Sequence, residues 1–443
     1  MTPFHCICLS FHGRCGNNKR MPHCPPWCAL TAAVLLAAAP ARAATATNWP
    51  RWRGPQDNGA AAPGVYPVIW SASTNVLWKV PLPGRGCSTP IVWDRRIYLT
   101  APVAGQDALL AFDDAGQALW QTTFGPENPG KHRNGSGCNP SAVTDGRALF
   151  VYFKSGTFAA VELDGRVRWK TNLLERYGRG TLFWDFGSSP VLTAQDVVMA
   201  VQHHGDSYLA AFDQRTGVLH WNVERNYKTP VEGDQSYATP LVFTCQGREA
   251  LLVLGGERLT AHAADDGRAL WVCGVFNPKA KSNWVPVASP VIAGAVAVVP
   301  YGRGAWLHGI LLDGPGGALA GGQRLWQREM ASAFVPTPAA AQGRIYLLGD
   351  RGDLAGVDAL TGRSLWQGRL PENSNHYYAS PVLAGGNLYA AREDGVVYVV
   401  RADDTCALLA ENTLGERLIA SPVPVANRLL LRGEKNLYCI GAR

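Results

Sequence analysis

Charged residues are scarce in this chain, and no region concentrates charge of one sign. Asp, Glu, Lys and Arg make up 17% of the 443 residues, and the formal net charge is +7. The first 43 residues carry four basic side chains and no acidic one, so 37 basic and 34 acidic residues remain and the excess falls to +3. So weak a bias, with no single-sign block, predicts no nucleic-acid partner.

Long apolar runs are lacking after the N-terminus, so no transmembrane segment is predicted, because such a helix needs roughly 18 apolar residues. Residues 29–39 form a shorter apolar run, and residues 41–43 (Ala-Arg-Ala) fit a small-x-small cleavage site. Residues 1–44 are therefore predicted to be a signal peptide, and the mature protein to be periplasmic or secreted. Because residues 1–28 hold five cysteines, translation is expected to begin at Met21. An atypical leader that starts at Met1 is the alternative.

Motifs for metal or nucleophilic chemistry are also lacking. Six cysteines follow the leader, and none shows Cys-x-x-Cys spacing, so no metal site is predicted. Cys87 and Cys138 precede similarly placed prolines and either pair at the centre of the fold or stay free thiols. Neither a Gly-x-Ser-x-Gly elbow nor a Ser/His/Asp order appears. His203-His204 has no identifiable third metal ligand and is expected to be exposed.

Proline and tryptophan recur instead at regular spacing. A proline before an apolar pair occurs eight times, at intervals of 50, 50, 50, 50, 48, 43 and 41 residues. These prolines are Pro90, Pro140, Pro190, Pro240, Pro290, Pro338, Pro381 and Pro422. An acidic turn and then a tryptophan follow six of them, and the seventh repeat has Ala410 at the tryptophan position.

Each repeat contains four short segments rich in Val, Tyr and Phe and bounded by turn residues, which indicates four β-strands. The eighth repeat ends after its third strand, at residues 436–440, while residues 75–81 supply a strand that belongs to no complete repeat. Pairing these two segments would close a ring and leave no exposed edge. The sequence therefore predicts an all-β, eight-bladed β-propeller of four-stranded antiparallel blades over residues 75–443, preceded by an extension over residues 45–74. A linear β-solenoid is the alternative.

The outer-strand tryptophans are expected to bury a flat ring against the next blade and to donate the indole N–H to a backbone carbonyl. They are Trp78, Trp120, Trp169, Trp221, Trp271, Trp326 and Trp366.

The pattern Asp213-x-x-Thr216-Gly217-x-x-x-Trp221, repeated from Asp358 to Trp366, resembles the tryptophan-docking motif of PQQ-like (quinoprotein-type) β-propellers. Residues 49–59 (WPRWRGPQDNG) are similar to the opening of exported bacterial members of that family. The resemblance implies the fold more firmly than the function.

Three functions are compatible with this resemblance. The first is a PQQ- and calcium-dependent periplasmic dehydrogenase, to whose channel Asp185 and Asp234 could contribute. This sequence lacks the adjacent Cys-Cys pair and the haem-type Cys-x-x-Cys-His of such enzymes. The second is a scaffold resembling the propeller lipoprotein of the outer-membrane assembly machinery, although Pro26-Trp27-Cys28 is not a lipobox. The third is a propeller that binds a small molecule or a glycan.

The loops that lead into the first strands of the blades are the predicted site, because they converge on one mouth of the central channel. Aromatic and polar residues at similar offsets in these loops suit a ligand pocket or a protein-binding hot spot. The alternative is that these side chains plug the channel and pack the blade tops. The residues are Arg85, His132, Arg133, Trp184, Asp185, Asp234, Gln235, Tyr237, Asn283, Trp284, Asn375, His376 and Tyr377.

The sequence thus favours an exported, monomeric binding or scaffold propeller in the cell envelope, with no catalytic residue, no metal and no required cofactor. Its partner is expected to be an envelope protein or a small-molecule or glycan ligand at the channel mouth.

Overall fold

The computed structural model of the chain describes residues 47–230, 232–313 and 322–442. The predicted signal peptide and the two alternative translation starts lie outside these residues. No helix in the described part of the chain is both long and apolar enough to cross a bilayer.

The described strands form eight four-stranded antiparallel sheets, and each sheet is one blade. The first strand, β1, spans Val76–Pro81. Blades 1 and 2 comprise β2 (Ile91–Trp93), β3 (Arg96–Val103), β4 (Gln106–Asp113), β5 (Ala118–Pro126), β6 (Val143–Thr144), β7 (Ala148–Tyr152), β8 (Thr157–Glu162) and β9 (Val167–Asn172). A short helix, α1 (Leu173–Tyr177), follows, and the Asn172 side chain caps it by accepting two amide hydrogen bonds.

Blades 3 to 5 follow in chain order. They comprise β10 (Val191–Leu192), β11 (Asp196–Val201), β12 (Tyr208–Asp213), β13 (Leu219–Glu224), β14 (Leu241–Cys245), β15 (Arg248–Gly255), β16 (Arg258–Ala263), β17 (Ala269–Cys273), β18 (Val291–Ala293), β19 (Val296–Tyr301), β20 (Trp306–Leu311) and β21 (Gln323–Glu329).

Blades 6 to 8 complete the ring. They comprise β22 (Ala339–Ala341), β23 (Arg344–Leu348), β24 (Asp353–Asp358), β25 (Ser364–Arg369), β26 (Val382–Ala384), β27 (Asn387–Ala391), β28 (Val396–Arg401), β29 (Leu408–Thr413), β30 (Val423–Val425), β31 (Arg428–Arg432) and β32 (Asn436–Ile440), with β1 as the fourth strand of blade 8.

The two ends of the propeller segment meet in blade 8. Strand β1 pairs antiparallel with β32, so that Lys79 lies opposite Tyr438 and Val80 lies opposite Leu437. The predicted eight-bladed propeller, closed by an N-terminal strand that completes the last blade, is therefore confirmed. The solenoid alternative is wrong.

Middle strands are buried on both faces because they lie between two neighbouring blades. Strands β7 (ALFVY) and β11 (DVVMAV) are buried at every position. Outer strands such as β13 instead expose every second residue. The alternation follows from the two-residue period of a strand with one covered face.

A closed ring of hydrogen bonds joins the blades around the channel. At one position in each blade, the backbone N–H donates to the Ser or Thr hydroxyl of the next blade, over 2.8 to 3.2 Å. The eighth bond returns to blade 1, so all eight residues both donate and accept: Thr89, Ser141, Ser189, Thr239, Ser289, Thr337, Ser380 and Ser421.

Blade 2 departs from the proline register that the sequence predicts. Ser141, and not Asn139, occupies the ring position. Pro140 therefore lies two residues before the place that proline has in the other blades. The prediction that all eight prolines are equivalent is wrong for Pro140.

Tryptophans of the outer strands contact the next blade. Five of them donate the indole N–H to a backbone carbonyl of that blade at 2.9 to 3.1 Å: Trp78, Trp120, Trp169, Trp221 and Trp326. Trp271 and Trp366 are buried at the corresponding positions. The turn beneath Trp169 needs glycine, because Gly217 has a φ of +72° and a Cβ there would lie 2.6 Å from the indole.

Residues 47–74 close one end of the channel, which we call the lower end. Trp49 exchanges two backbone hydrogen bonds of 2.8 Å with Val92 of blade 1. Across the channel, the buried Arg53 guanidinium donates to the Pro338 and Pro381 carbonyls of blades 6 and 7, at 3.0 and 2.8 Å. Backbone pairing and a buried cation therefore fasten this segment to opposite sides of the ring.

Candidate functional site

The other end of the channel, which we call the mouth, is open. Because the strands of a blade are antiparallel, the loops entering each first strand and the turns between second and third strands lie at this same end. A cavity of about 190 Å³ in the channel is lined by residues of all eight blades, with Trp52 of the N-terminal segment among them. Tyr237 is the one residue of the predicted site that lines this cavity.

Asp185 is the buried anchor of the mouth. Both of its carboxylate oxygens accept the Lys131 amide N–H at 2.9 Å, and the Lys154 ammonium donates to it at 2.7 Å. The Lys131 ammonium donates in turn to the Leu182 carbonyl at 2.9 Å. Gly135 makes room for this carboxylate, since a Cβ there would lie 2.1 Å from one of its oxygens. These contacts join the loops that enter blades 2 and 3 into one unit.

Phe183 and Trp184 precede this anchor in the loop that enters blade 3, and their side chains protrude into solvent. We call them the aromatic pair. Their exposed fractions are 58% and 49%. Their backbone is fixed, because the Phe183 amide donates to Gln235 Oε1 at 3.0 Å and the Trp184 amide donates to the Tyr237 hydroxyl at 2.9 Å. The His132 ring packs edge-on against Trp184, with centroids 5.3 Å apart. Large exposed rings on a fixed backbone are typical of a binding surface.

Arg85 links the loops that enter blades 1 and 2. Its guanidinium donates to the His132 carbonyl at 3.0 Å and to the Gly135 carbonyl at 2.6 Å. It also forms an ion pair with Glu434 of blade 8 at 3.6 Å. The side chain therefore joins the loop that carries His132 to the last blade.

A second group of charges spans the mouth from blade 7 to blade 2. The buried Glu393 carboxylate accepts the Arg417 guanidinium at 2.7 Å and the His376 amide at 3.1 Å, and it lies 3.8 Å from Arg133. Sequence analysis missed Glu393 and Arg417. Glu393 follows β27, so the rule that turns between second and third strands face the mouth could have indicated it.

Three residues of the predicted site lie in the loops that enter blades 4 and 5. Asp234 is bound to the exposed His204 ring, with Nδ1 and Oδ2 2.7 Å apart. Trp284 packs edge-on against Tyr301 at 6.3 Å, and Asn283 is exposed beside it. The structure does not bring these side chains into contact with the aromatic pair.

Two further predicted residues belong to blade 7. Asn375 donates to Asp394 at 3.2 Å, and Tyr377 is buried against Gly352 beneath the surface. The expectation that both members of His203-His204 are exposed is wrong for His203. That ring is buried and shares hydrogen bonds with the Thr181 amide and the Asp206 carbonyl.

Burial favours the neutral form of a tyrosine and two thiols beside the channel. It raises the pKa of Tyr237 to about 12 and that of the Cys87 thiol to about 11. Burial likewise raises the pKa of Cys138. The six cysteines of the described residues are free thiols, so the alternative of a Cys87–Cys138 disulfide is not realised in this structure.

Of the two carboxylates proposed for a calcium and PQQ site, Asp185 does not fit that role. Calcium binds oxygen ligands that have lone pairs available. Asp185 already accepts an ammonium and backbone amides. Asp234 is bound to His204 through Oδ2, while its Oδ1 has no hydrogen-bond partner among the described residues. Within residues 47–442, gaps excepted, no three His, Cys, Asp or Glu side chains are placed to hold a metal ion.

Known proteins share both the sequence pattern and the fold. A protein-family model described as "Outer membrane protein assembly factor BamB" matches residues 67–230, 105–306 and 317–438. BamB of Yersinia pestis is 23% identical over 330 residues, which cover 72% of this chain and 75% of that protein.

Two solved structures resemble the chain. BamB from Moraxella catarrhalis has a TM-score of 0.60 and 14% identity and covers 83% of this chain and 97% of its own. A quinohemoprotein alcohol dehydrogenase from Comamonas testosteroni has a TM-score of 0.66 and 14% identity, with coverages of 90% and 81%. At such identities the likeness shows the fold alone. The family model carries the assignment, since its matches together run from residue 67 to residue 438 with one short gap. The chain therefore belongs to the family of PQQ-like β-propellers that is described as outer membrane protein assembly factor BamB.

Proposed function

We propose that the chain is an exported, non-catalytic scaffold that docks a protein of outer-membrane assembly on its mouth. The observation that carries this proposal is the aromatic pair, two large exposed rings whose backbone is fixed by Gln235 and Tyr237. Residues of this kind contribute most of the binding energy in protein interfaces. The family assignment and the relatives named as assembly factors indicate what kind of partner to expect.

The shape of the channel supports docking on the mouth surface over entry of a bulky ligand. The lower end is closed by residues 47–74, and the cavity of about 190 Å³ lies below the typical range of about 300–1,000 Å³ for small-molecule sites. The open mouth, in contrast, presents Phe183, Trp184 and several arginines to an approaching surface. We expect the chain to act there as a monomer in the periplasm.

Photo-crosslinking tests the proposal. A benzophenone side chain is placed at position 183, and purified outer-membrane assembly proteins from the same cell are added. Position 360 is the control, because Leu360 is 64% exposed but lies in a turn at the lower end. We expect a crosslink from position 183 and none from position 360. Equal crosslinking from both positions, or none from either, would refute docking at the mouth.

Two controls separate the alternatives. If the wild-type chain retains only a glycan or small molecule and Phe183→Ala abolishes that retention, the mouth is a ligand pocket. For the dehydrogenase alternative, PQQ and Ca²⁺ are added and dye-linked alcohol oxidation is measured. We expect no oxidation above buffer, and any turnover that scales with bound PQQ would contradict the non-catalytic assignment.

A further inference from the structure

We propose that an arginine recess at the mouth binds the carboxylate of an acidic side chain in the docked partner. The recess is formed by Arg85, Arg133, Arg417 and Arg432 between blades 1, 2 and 8. This inference rests on the proposed function and names the chemistry of the contact.

Arg432 is the unusual member of the recess. Its side chain is 1% exposed, and it forms no ion pair with any carboxylate in the part of the chain that the structure describes. Nη1 donates to the Ser88 carbonyl at 2.8 Å and to the Ser88 hydroxyl, but Nε and Nη2 have no hydrogen-bond partner there. Burial lowers the pKa of Arg432, yet a guanidinium stays protonated in proteins, so Arg432 is a buried cation with no carboxylate counter-ion among the described residues.

Neighbouring groups do not supply the missing negative charge. The two thiols beside Arg432 are those of Cys87 and Cys138, and burial raises the pKa of each, so both are neutral at pH 7. Gly86 makes room for the guanidinium itself, because a Cβ there would lie 2.0 Å from Arg432 Nη2. The guanidinium therefore packs directly against the Gly86 backbone.

The recess as a whole is positively charged. Glu434 pairs with Arg85 at 3.6 Å, while Glu393 pairs with Arg417 at 2.7 Å and lies 3.8 Å from Arg133. Four cations therefore face two paired carboxylates, and a third carboxylate, Glu416, lies against Gly433 of the recess, which leaves an excess of one positive charge. Glu434 holds Arg85 and Glu393 holds Arg417, whereas Arg133 stays largely exposed and Arg432 is unpaired, so these two arginines remain for a ligand.

The volume of the recess limits which chemical groups can reach Arg432. The free volume of the recess is about 10 Å³, the space of roughly one water molecule. Only the head of a group whose bulk lies outside can reach Arg432. A carboxylate suits this position, since its two oxygens match the fork of guanidinium donors.

Continuity with the aromatic pair favours a protein segment over a free anion. Arg85 of the recess donates to the His132 carbonyl, and the His132 ring packs against Trp184. A peptide that carries an aromatic or aliphatic residue close to an acidic one would contact both features at once. Inorganic phosphate has the charge but no apolar part.

Peptide binding to the full chain tests the inference. The probe is a dye-labelled peptide of sequence Gly-Phe-Glu-Glu-Glu-Gly, and the matched control replaces each Glu by Gln. We expect the acidic peptide to bind at least about tenfold more tightly by fluorescence anisotropy, because each charge-assisted hydrogen bond is worth about that factor. The difference should shrink at high salt, which screens charges near the surface.

Three variants locate the contact. Arg432→Met and Arg133→Gln should each weaken binding of the acidic peptide about tenfold. Arg95 is an exposed arginine at the lower end, where it pairs with Asp114. Arg95→Gln should therefore bind the acidic peptide as the wild type does. Arg432→Met should keep or raise the thermal midpoint, because replacing an unpaired buried charge by an apolar side chain is often stabilising. Arg133 is largely exposed, so Arg133→Gln tests the recess even if Arg432→Met does not fold.

The outcomes that overturn the inference are distinct. Equal binding of the two peptides, or unchanged binding by both arginine variants, would refute the carboxylate contact. If millimolar inorganic phosphate displaces the peptide completely and binds the Phe183→Ala variant equally well, the recess is a site for free anions. If the arginine variants keep the crosslink from position 183, this inference fails while the proposed function stands. If the wild type yields no crosslink, the proposed function fails whatever the peptides do.

Discussion

The two ends of the propeller channel are built differently, although the same eight blades surround both. At the lower end, Trp49 is 1% exposed and Arg53 is bound to carbonyls of blades 6 and 7. At the mouth, Trp184 is half exposed and Arg133 projects into solvent. Similar residue types thus stabilise the ring at one end and are available to a partner at the other. The difference teaches that burial, and not residue type, distinguishes the scaffold from the candidate binding face.

The largest expected effect comes from breaking the lower end. Trp49→Ala removes a fully buried ring from the core shared by the N-terminal segment and blades 7, 8 and 1. We expect the free energy of unfolding to fall by about 3–5 kcal/mol, as for other large-to-small changes in a core. Urea denaturation followed by tryptophan fluorescence and far-UV circular dichroism measures the loss.

Val65→Ala is the matched control for that experiment. Val65 belongs to the same N-terminal segment but is 84% exposed, so its truncation should change stability by less than about 0.5 kcal/mol. A loss below about 1 kcal/mol for Trp49→Ala would mean that the segment does not seal the channel in solution.

A second contrast concerns acid, because the blade interior holds buried histidines whereas His132 and His204 at the mouth are exposed. Burial lowers the pKa of His262 to about 4 and that of His308 to about 3. Both lie below the usual value near 6.5, so the unfolded chain takes up protons first as the pH falls. Stability is therefore complete above pH 6.5 and is lost progressively below it, by about 2 kcal/mol for each histidine at pH 5.

Substitution of one buried histidine measures this loss. His308→Phe should flatten the change in unfolding free energy between pH 7 and pH 5 by about 2 kcal/mol, since Phe cannot be protonated. Phe183→Ala, at the exposed mouth, removes no titratable group and should leave the slope as it is in the wild type. Equal slopes for wild type and His308→Phe would show that the interior histidine is not held neutral.

A smaller effect separates backbone strain from contact between blades. Gly217 and Gly343 have nearly the same φ, +72° and +73°, but a Cβ at Gly217 would meet the Trp169 ring while nothing lies within 4 Å of a Cβ at Gly343. Gly343→Ala should cost about 1 kcal/mol for the left-handed backbone alone. Gly217→Ala should cost about 2 kcal/mol, because the indole must move as well. Thermal denaturation measures the stability that each variant loses. Equal losses would show that the Trp169 indole moves aside without destabilising the protein.

The fold could be predicted because every blade packs against its neighbouring blades in the same way. The turn at Asp213, the glycine at 217 and the tryptophan at 221 recur since each blade must dock on the next one in the same way. Blade 2 shows the limit of this reasoning. A proline pattern cannot reveal that Ser141 takes the ring position, because the hydrogen bonds to Thr89 and Ser189 exist only once three blades stand side by side.

The mouth could be predicted only in part, because its residues do not repeat. Arg85, Trp184 and Asp185 lie in the loops that enter the first strands, and their position in these loops made them predictable from the sequence. Glu393 and Arg432 come from another class of position: Glu393 lies in the turn between the second and third strands of blade 7, and Arg432 ends the second strand of blade 8. Their proximity to Arg133 and Cys87 depends on closure of the ring, and no local pattern encodes it.

The smallest effect on stability, and the sharpest contrast with Trp49, is expected for Trp184→Ala. The ring of Trp184 is half exposed and packs mainly against His132 and Phe183, so its removal should lower the free energy of unfolding by less than about 1 kcal/mol. Yet the same change should reduce crosslinking from position 183 at least about tenfold, since an aromatic anchor in an interface is typically worth 2 kcal/mol or more. Trp49→Ala, examined below its melting temperature, should show the reverse pattern, with lost stability and retained crosslinking. If Trp184→Ala destabilises the chain as much as Trp49→Ala does, the aromatic pair is part of the scaffold and the two ends of the channel do not differ in role.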